Sequence, residues 1–336
     1  MLLSEFDYDL PPELIAQEPL SERDKSKLLV LHRDTGEIEH RRFYEIGDYL
    51  YKGDLLVLNN TQVTALRLKG WKATGGKVEV LLLRNLGGNL WDSLVRPGRR
   101  VQVGTVIEFG DGLSATVVER TEGGGRILDF GDTVDAEKKI RQLGEVPLPP
   151  YIHSALKDVS QYQTVYASQP GSAAAPTAGF HFTTRLLEDL RAKGIQTVFI
   201  TLHVGIGTFR PVRTEFVDEH VMHKETISIS EEAASIINSA EGRIIAVGTT
   251  TVRALESAAV GKRRVAAIDG ETSLFITPGY EFKVVEAMVT NFHMPKSTLL
   301  ILVSAFAGRD LIMRSYEEAK KHGYRFLSFG DAMFII

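Results

Sequence analysis

A chain of 336 residues that is 43% hydrophobic, carries a formal charge of −4 and has no cysteine excludes a disulfide framework, a thiolate nucleophile and cysteine-type zinc or iron–sulfur sites. The charge also excludes the overall positive field of a dedicated nucleic-acid binder, so local basic patches would have to meet any polyanion. The length predicts two domains, and the absence of a signal-like start or an apolar run of about 18 residues predicts a cytoplasmic protein with no membrane partner.

In chain order, residues 28–33 and 38–43 are apolar-rich runs around Asp34-Thr35-Gly36-Glu37 and predict a hairpin. Residues 53–59 (GDLLVLN) predict a strand buried on both faces. From 63 to 130 short alternating runs, broken by glycine turns, predict a small antiparallel barrel or sandwich, which PLPP at 147–150 leaves stiffly. After Tyr151 helices and strands alternate. Helices are predicted after Thr183 or Thr184, over 231–240 behind Ser230, over 249–259, 297–307 and 310–322. Strands are predicted over 196–204 and 243–247, with a terminal strand over 324–329. This order predicts an α/β sandwich formed by residues 1–60 and 151–336, with an antiparallel β-barrel inserted over 61–150. The strand at 53–59 is too apolar for a free edge and favours insertion over two sequential domains.

Chemistry concentrates in small-residue turns. SAAAPTAGFHF and TLHVGIGTFRPV carry His181 and His203, and small residues there let backbone approach a ligand at Ala174, Pro176, Gly179, Gly205 and Gly207. The GIG turn does not fit a dinucleotide fold, because Pro211 follows Arg210 where a helix should begin. His220 and His223 would share a helix face as a metal pair, but no third ligand is evident and no metal is expected. Val247-Gly248-Thr249-Thr250-Thr251 has a strand-to-helix form that can hold an anion, with Arg253 one turn on. Asn291 to Thr298 joins His293 and Lys296 to a helix start that Ser297 can cap.

Together, SAAAPTAGFHF, TLHVGIGTFRPV, EHVMHKE, VGTTTVRALES, TNFHMPKSTLLILVSAFAG and FGDAM resemble the S-adenosylmethionine:tRNA ribosyltransferase-isomerase family of queuosine biosynthesis. The resemblance begins at FDYDLPPELIAQEP and runs through LLVLNNT, TGGKVEVLLL, LVRPG and PLPPYI. It implies transfer and isomerisation of the ribosyl part of S-adenosylmethionine onto the 7-aminomethyl-7-deazaguanine at the tRNA wobble position. The products would be epoxyqueuosine-tRNA, adenine and methionine, with S-adenosylmethionine consumed as a substrate and no cofactor. The sulfonium acidifies a neighbouring carbon, so a base and an acid are required. His203 or His181 would abstract a proton, and His293 or His223 would assist the leaving adenine. Thr249, Thr250 and Arg253 would hold the amino-acid end of the substrate. A tRNA would meet Arg96, Arg99, Arg100, Arg210, Arg213, Lys296 and Arg309 on a monomeric enzyme. Gln62, Ser154 and Ser273 depart from the family's pattern and are assigned no contact. Two other readings are a methyltransferase, which would yield adenosylhomocysteine, and a noncatalytic RNA-binding module.

Overall fold

The computed structural model describes residues 1–121, 124–205, 212 and 214–336. Nine strands form one mixed sheet: β1 (Lys27–Leu31), β2 (Ile38–Arg42), β3 (Leu55–Asn59), β4 (Gln196–His203), β5 (Glu225–Ile229), β6 (Ile244–Val247), β7 (Ile268–Thr272), β8 (Ala287–Asn291) and β9 (Ala332–Ile335). Their order is β7-β5-β4-β3-β6-β8-β9-β1-β2. The neighbours β4, β3, β6 and β8 run parallel, and β9 returns antiparallel to β8. Every residue of β3, β6, β8 and β9 is buried, as continuous apolar runs without alternation require. The hairpin read from the first sixty residues is β1–β2, and with β3 it joins the sheet of the C-terminal part.

The glycine-punctuated stretch closes into a six-stranded barrel in which Leu113–Arg120 completes the ring on Arg126–Asp129. Leu68, Val80, Leu82, Ile107, Val117 and Leu128 fill it from alternating positions, and the residues beside them, such as Lys69, Leu81, Glu108 and Ile127, are less buried. The chain divides into two compact units, residues 1–61, 150–169 and 175–336, and residues 62–149 with 170–174. The short segment 170–174, expected in the α/β part, groups with the barrel.

Helices α1 (Thr184–Ala192), α2 (Glu231–Asn238), α3 (Thr249–Ser257), α4 (Thr298–Ala307) and α5 (Arg309–Lys321) belong to the larger unit. Three are capped as their sequences indicate: Thr183, Ser230 and Ser297 accept from Leu186, Ala233 and Leu300 backbone N–H at 3.1, 3.1 and 3.2 Å. Helix α3 has no side-chain cap.

Two expectations need correction. Residues 324–329 are not a strand. Leu327 has φ +70 there, the backbone of Leu327 bonds Phe292 instead of a ladder partner, and the terminal strand lies at Ala332–Ile335. Nor do His220 and His223 share a helix face. A single 3₁₀ turn ends at Glu219, and the chain then runs irregularly into β5 with His223 exposed. Strands β5, β7 and β8 fall in stretches for which no strand is predicted above.

Candidate active site

In a sheet of this kind ligands gather beyond the carboxyl ends of parallel strands, where the following turns splay apart. Here the ends of β4, β6 and β8 deliver Val204, Gly248 to Thr250, and Thr290 to Met294 to one cavity of about 400 Å³. Ala175 to Ala178, Pro150, Tyr151, Leu327 and Ser328 complete much of the wall, which is largely apolar with a few hydroxyl and imidazole groups. The cavity lies wholly within the larger unit.

The start of α3 forms its most polar stretch. Gly248 takes φ +93 and ψ 148, a conformation open to glycine, and turns β6 directly into the helix. Thr251 donates to Val247 O at 2.7 Å, and Thr250 Oγ1 lies 3.4 Å from Asn59 Nδ2. None of the three threonines caps the helix. Its first amide groups thus meet the cavity without a side chain over them, an arrangement that suits a negative group.

His293 also lines the cavity. Its Nε2 is 2.7 Å from Thr290 Oγ1, and burial lowers its pKa to about 3, so the ring is neutral. Its peptide is clamped on both sides: the amide donates to Tyr316 OH at 3.0 Å, and Tyr8 OH donates to the carbonyl at 2.5 Å. The N-terminal segment ties down the rest of this turn. Lys296 N bonds Phe6 O at 2.9 Å, Lys296 Nζ pairs with Asp7 at 2.5 Å, and Arg309 Nε donates to Glu5 O at 2.8 Å.

His181 does not line the cavity. It sits behind it, with Nδ1 2.8 Å from Ser26 Oγ, Nε2 3.2 Å from Asn291 Nδ2 and its ring stacked on Phe43 at 4.9 Å. Burial, then the charges of Arg23 and Arg325, lowers its pKa to about 3. Asn291 carries the connection forward, for its Oδ1 accepts from Thr177 Oγ1 at 3.0 Å on the cavity wall. His203 is half-buried at the end of β4, next to Val204, with Nδ1 2.7 Å from Thr61 Oγ1. Desolvation moves its pKa down. Of the four histidines singled out as proton carriers, His293 is thus on the wall, His203 and His181 adjoin it, and His223 is exposed elsewhere.

Among the proposed binding residues, Pro176, Thr249 and Thr250 line the cavity. Gly179 serves packing: a Cβ there would fall 2.0 Å from Tyr166 OH. Arg253 is held in the interior by buried Glu225 at Nη1 and by Leu274 O, 3.1 Å from Nε, while its Nη2 is buried without a hydrogen-bond partner. Glu225 in turn accepts from Gly205 N at 2.8 Å, so this ion pair fixes the turn after β4 from behind. Ala174 falls in the barrel unit. Gly207, Arg210 and Arg213 lie outside the described residues. Of the cationic residues named for RNA, Arg96, Arg99 and Arg100 are exposed on the barrel unit, whereas Lys296 and Arg309 are tied to the N-terminal segment.

Sequence reading missed Tyr151, whose OH is 2.8 Å from Ser328 Oγ and whose pKa burial raises to about 12. It also passed over Asn291 as a functional residue, although its place at the end of an apolar run was a usable signal. Among the described residues no helix is long and apolar enough to cross a membrane.

Comparison with known proteins agrees over the full length. Residues 3–335 match the family described as queuosine biosynthesis protein. The chain is 54% identical over 341 residues to the S-adenosylmethionine:tRNA ribosyltransferase-isomerase of Halothermothrix orenii, covering 100% of both. It is 54% identical over 342 residues to the protein of the same name from Moorella thermoacetica, again covering 100% of both. The crystal structure of S-adenosylmethionine tRNA ribosyltransferase from Thermotoga maritima is similar with a TM-score of 0.57 and 43% identity, covering 99% of this chain and 100% of that one.

Proposed function

Because this chain belongs to the queuosine biosynthesis family, we infer that it is an S-adenosylmethionine:tRNA ribosyltransferase-isomerase. It transfers the ribosyl group of S-adenosylmethionine to the aminomethyl group of 7-aminomethyl-7-deazaguanine in tRNA and isomerises it, releasing adenine and methionine. S-adenosylmethionine is a consumed substrate, no cofactor takes part, and the enzyme works as a cytoplasmic monomer. The observation that carries the reading is the cavity at the strand ends, with an uncapped helix start and a neutral imidazole both in its lining.

The carboxylate of the sulfonium substrate would meet the amide groups at the start of α3, with Thr249 and Thr250 beside it. Its adenine and ribose would lie against Pro176, Phe292, Met294 and Leu327, an apolar surface suited to a flat base. The sulfonium makes the adjacent carbon acidic, and removal of its proton gives an ylide. His203 is the better base, because the heavier desolvation of His181 and His293 leaves both rings poor proton acceptors. Neutral His293, steadied by Thr290, is suited to hydrogen-bonding the departing adenine. His181 acts at one remove, by fixing Asn291.

The test is adenine release, followed by chromatography with saturating S-adenosylmethionine and modified tRNA. His203→Gln should lower kcat by about 10²–10⁴, the usual contribution of a positioned base. Turnover within a few-fold of the parent would remove His203 from this role.

A further inference from the structure

Most hydroxyl groups in the lining of the main cavity are committed to the protein itself. Thr177 donates to Asn291, Thr290 bonds His293, and Ser297 caps α4 while donating to Met294 O at 2.7 Å. Thr249 and Thr250 belong to the helix start that suits a carboxylate. Tyr151 and Ser328 are different. Both line the cavity, and the 2.8 Å contact between Tyr151 OH and Ser328 Oγ is the one hydrogen bond that either hydroxyl makes among the described residues. The neighbouring Tyr162 OH, fully buried, makes none and draws on neither. The two residues come together from positions 177 apart in the chain, and backbone bonds fix both segments: Tyr151 O accepts from Gln17 Nε2 at 2.9 Å, and Leu327, just before Ser328, donates its amide to Phe292 O at 3.1 Å.

Two hydroxyls that share one hydrogen bond keep one O–H to donate and further lone pairs to accept. Burial raises the pKa of Tyr151 to about 12, so near neutral pH the phenol is protonated and offers a hydrogen bond, not a base. Oxygens 2.8 Å apart are spaced like the two oxygens on adjacent carbons of a sugar, so a vicinal diol can meet both at once. We propose that Tyr151 and Ser328 bind the 2′- and 3′-hydroxyls of the ribose of S-adenosylmethionine and make the site selective for ribose over deoxyribose. A diol is preferred over the edge of a base because His293 already offers adenine a hydrogen-bond partner, and because Leu327, against which the ribose is placed above, precedes Ser328 in the same wall. A site built to bond hydroxyl groups discriminates strongly against a ligand that lacks them. This rests on the reaction assigned above, which brings a ribose into this cavity.

The experiment measures binding of S-adenosylmethionine and of its 2′-deoxy and 3′-deoxy analogues by titration calorimetry, in the full-length parent, Tyr151→Phe and Ser328→Ala. Thermal melting identifies any variant that fails to fold, and each variant is informative without the other. Either substitution should weaken S-adenosylmethionine binding about tenfold, the effect of losing one hydrogen bond in a buried site. In the parent, removing the contacted hydroxyl from the ligand should cost a similar factor. For that analogue the substitution should then add less than about threefold, because the bond is already gone. Parental affinity in folded variants would overturn the proposal, and so would an equal loss for all three ligands, which a merely structural role would produce. Adenine release keeps the two proposals apart: a parent that binds S-adenosylmethionine in this hydroxyl-dependent way but releases no adenine would count against the reaction and not against the diol site.

Discussion

His181 and His293 bind no proton near neutral pH, and this has a consequence for stability as well as for chemistry. Each ring has a folded-state pKa of about 3, against about 6.5 in an unfolded chain. Below pH 6.5 the unfolded state therefore takes up more protons than the folded one. Their contribution to stability is intact above pH 6.5 and is lost as pH falls towards 3, by up to about 1.4 kcal/mol per pH unit for each ring. Urea unfolding of the parent and His181→Gln between pH 7 and 4.5 should show a shallower decline in the variant, by about one proton. Equal slopes would contradict the burial argument. Sequence alone marked these histidines as notable, since His181 stands in a small-residue turn and His293 in a polar turn before an apolar helix. It could not rank them: desolvation, and the difference between lining a cavity and adjoining it, arise from packing between segments more than a hundred residues apart. Arg253 illustrates the same limit. Its position one turn into α3 implied a ligand contact, but Glu225, distant in the chain, claims it in the interior.

At the level of elements, the decisive feature is the junction of β6 and α3. VGTTTVR was legible as a strand entering a helix because glycine followed an apolar run and hydroxyl residues followed the glycine. The positive φ of Gly248 puts an L side chain in a strained conformation, though the space around it would admit a Cβ. Gly248→Ala should lower stability by about 1–3 kcal/mol and weaken S-adenosylmethionine binding, measured by thermal unfolding and titration calorimetry. Parental affinity in the folded variant would remove this junction from the substrate site. Two elements were misread for identifiable reasons. YRFLSF has the aromatic content of a strand, yet its Phe326 and Phe329 are spent on packing around Tyr162, Phe180 and Phe292, and Leu327 turns the backbone out of register. His220 and His223 have helical spacing, but spacing over four residues carries no information about a helix that nothing else nucleates.

The two units divide the properties that the whole molecule needs. The α/β unit supplies strand ends and a cavity; the barrel exposes Arg96, Arg99 and Arg100 despite the chain's overall charge of −4. If those arginines meet tRNA phosphates, Arg99→Ala and Arg100→Ala should each make the salt dependence of tRNA binding shallower by about 1, without altering KM for S-adenosylmethionine. Filter binding at several salt concentrations would reveal this, and an unchanged slope in both would take the barrel's arginines out of the RNA interface. The broad architecture was legible because composition changes abruptly at both ends of the barrel. The grouping of residues 170–174 with it was not, because that depends on contacts distant in sequence. The central claim, that ribose and not methyl moves to the tRNA, is tested most directly by incubating the enzyme and modified tRNA with S-adenosylmethionine labelled separately in the ribose and in the methyl group. The ribose label should enter the tRNA while the methyl label leaves with methionine; methyl label in the tRNA, with the ribose label recovered in adenosylhomocysteine, would contradict the account.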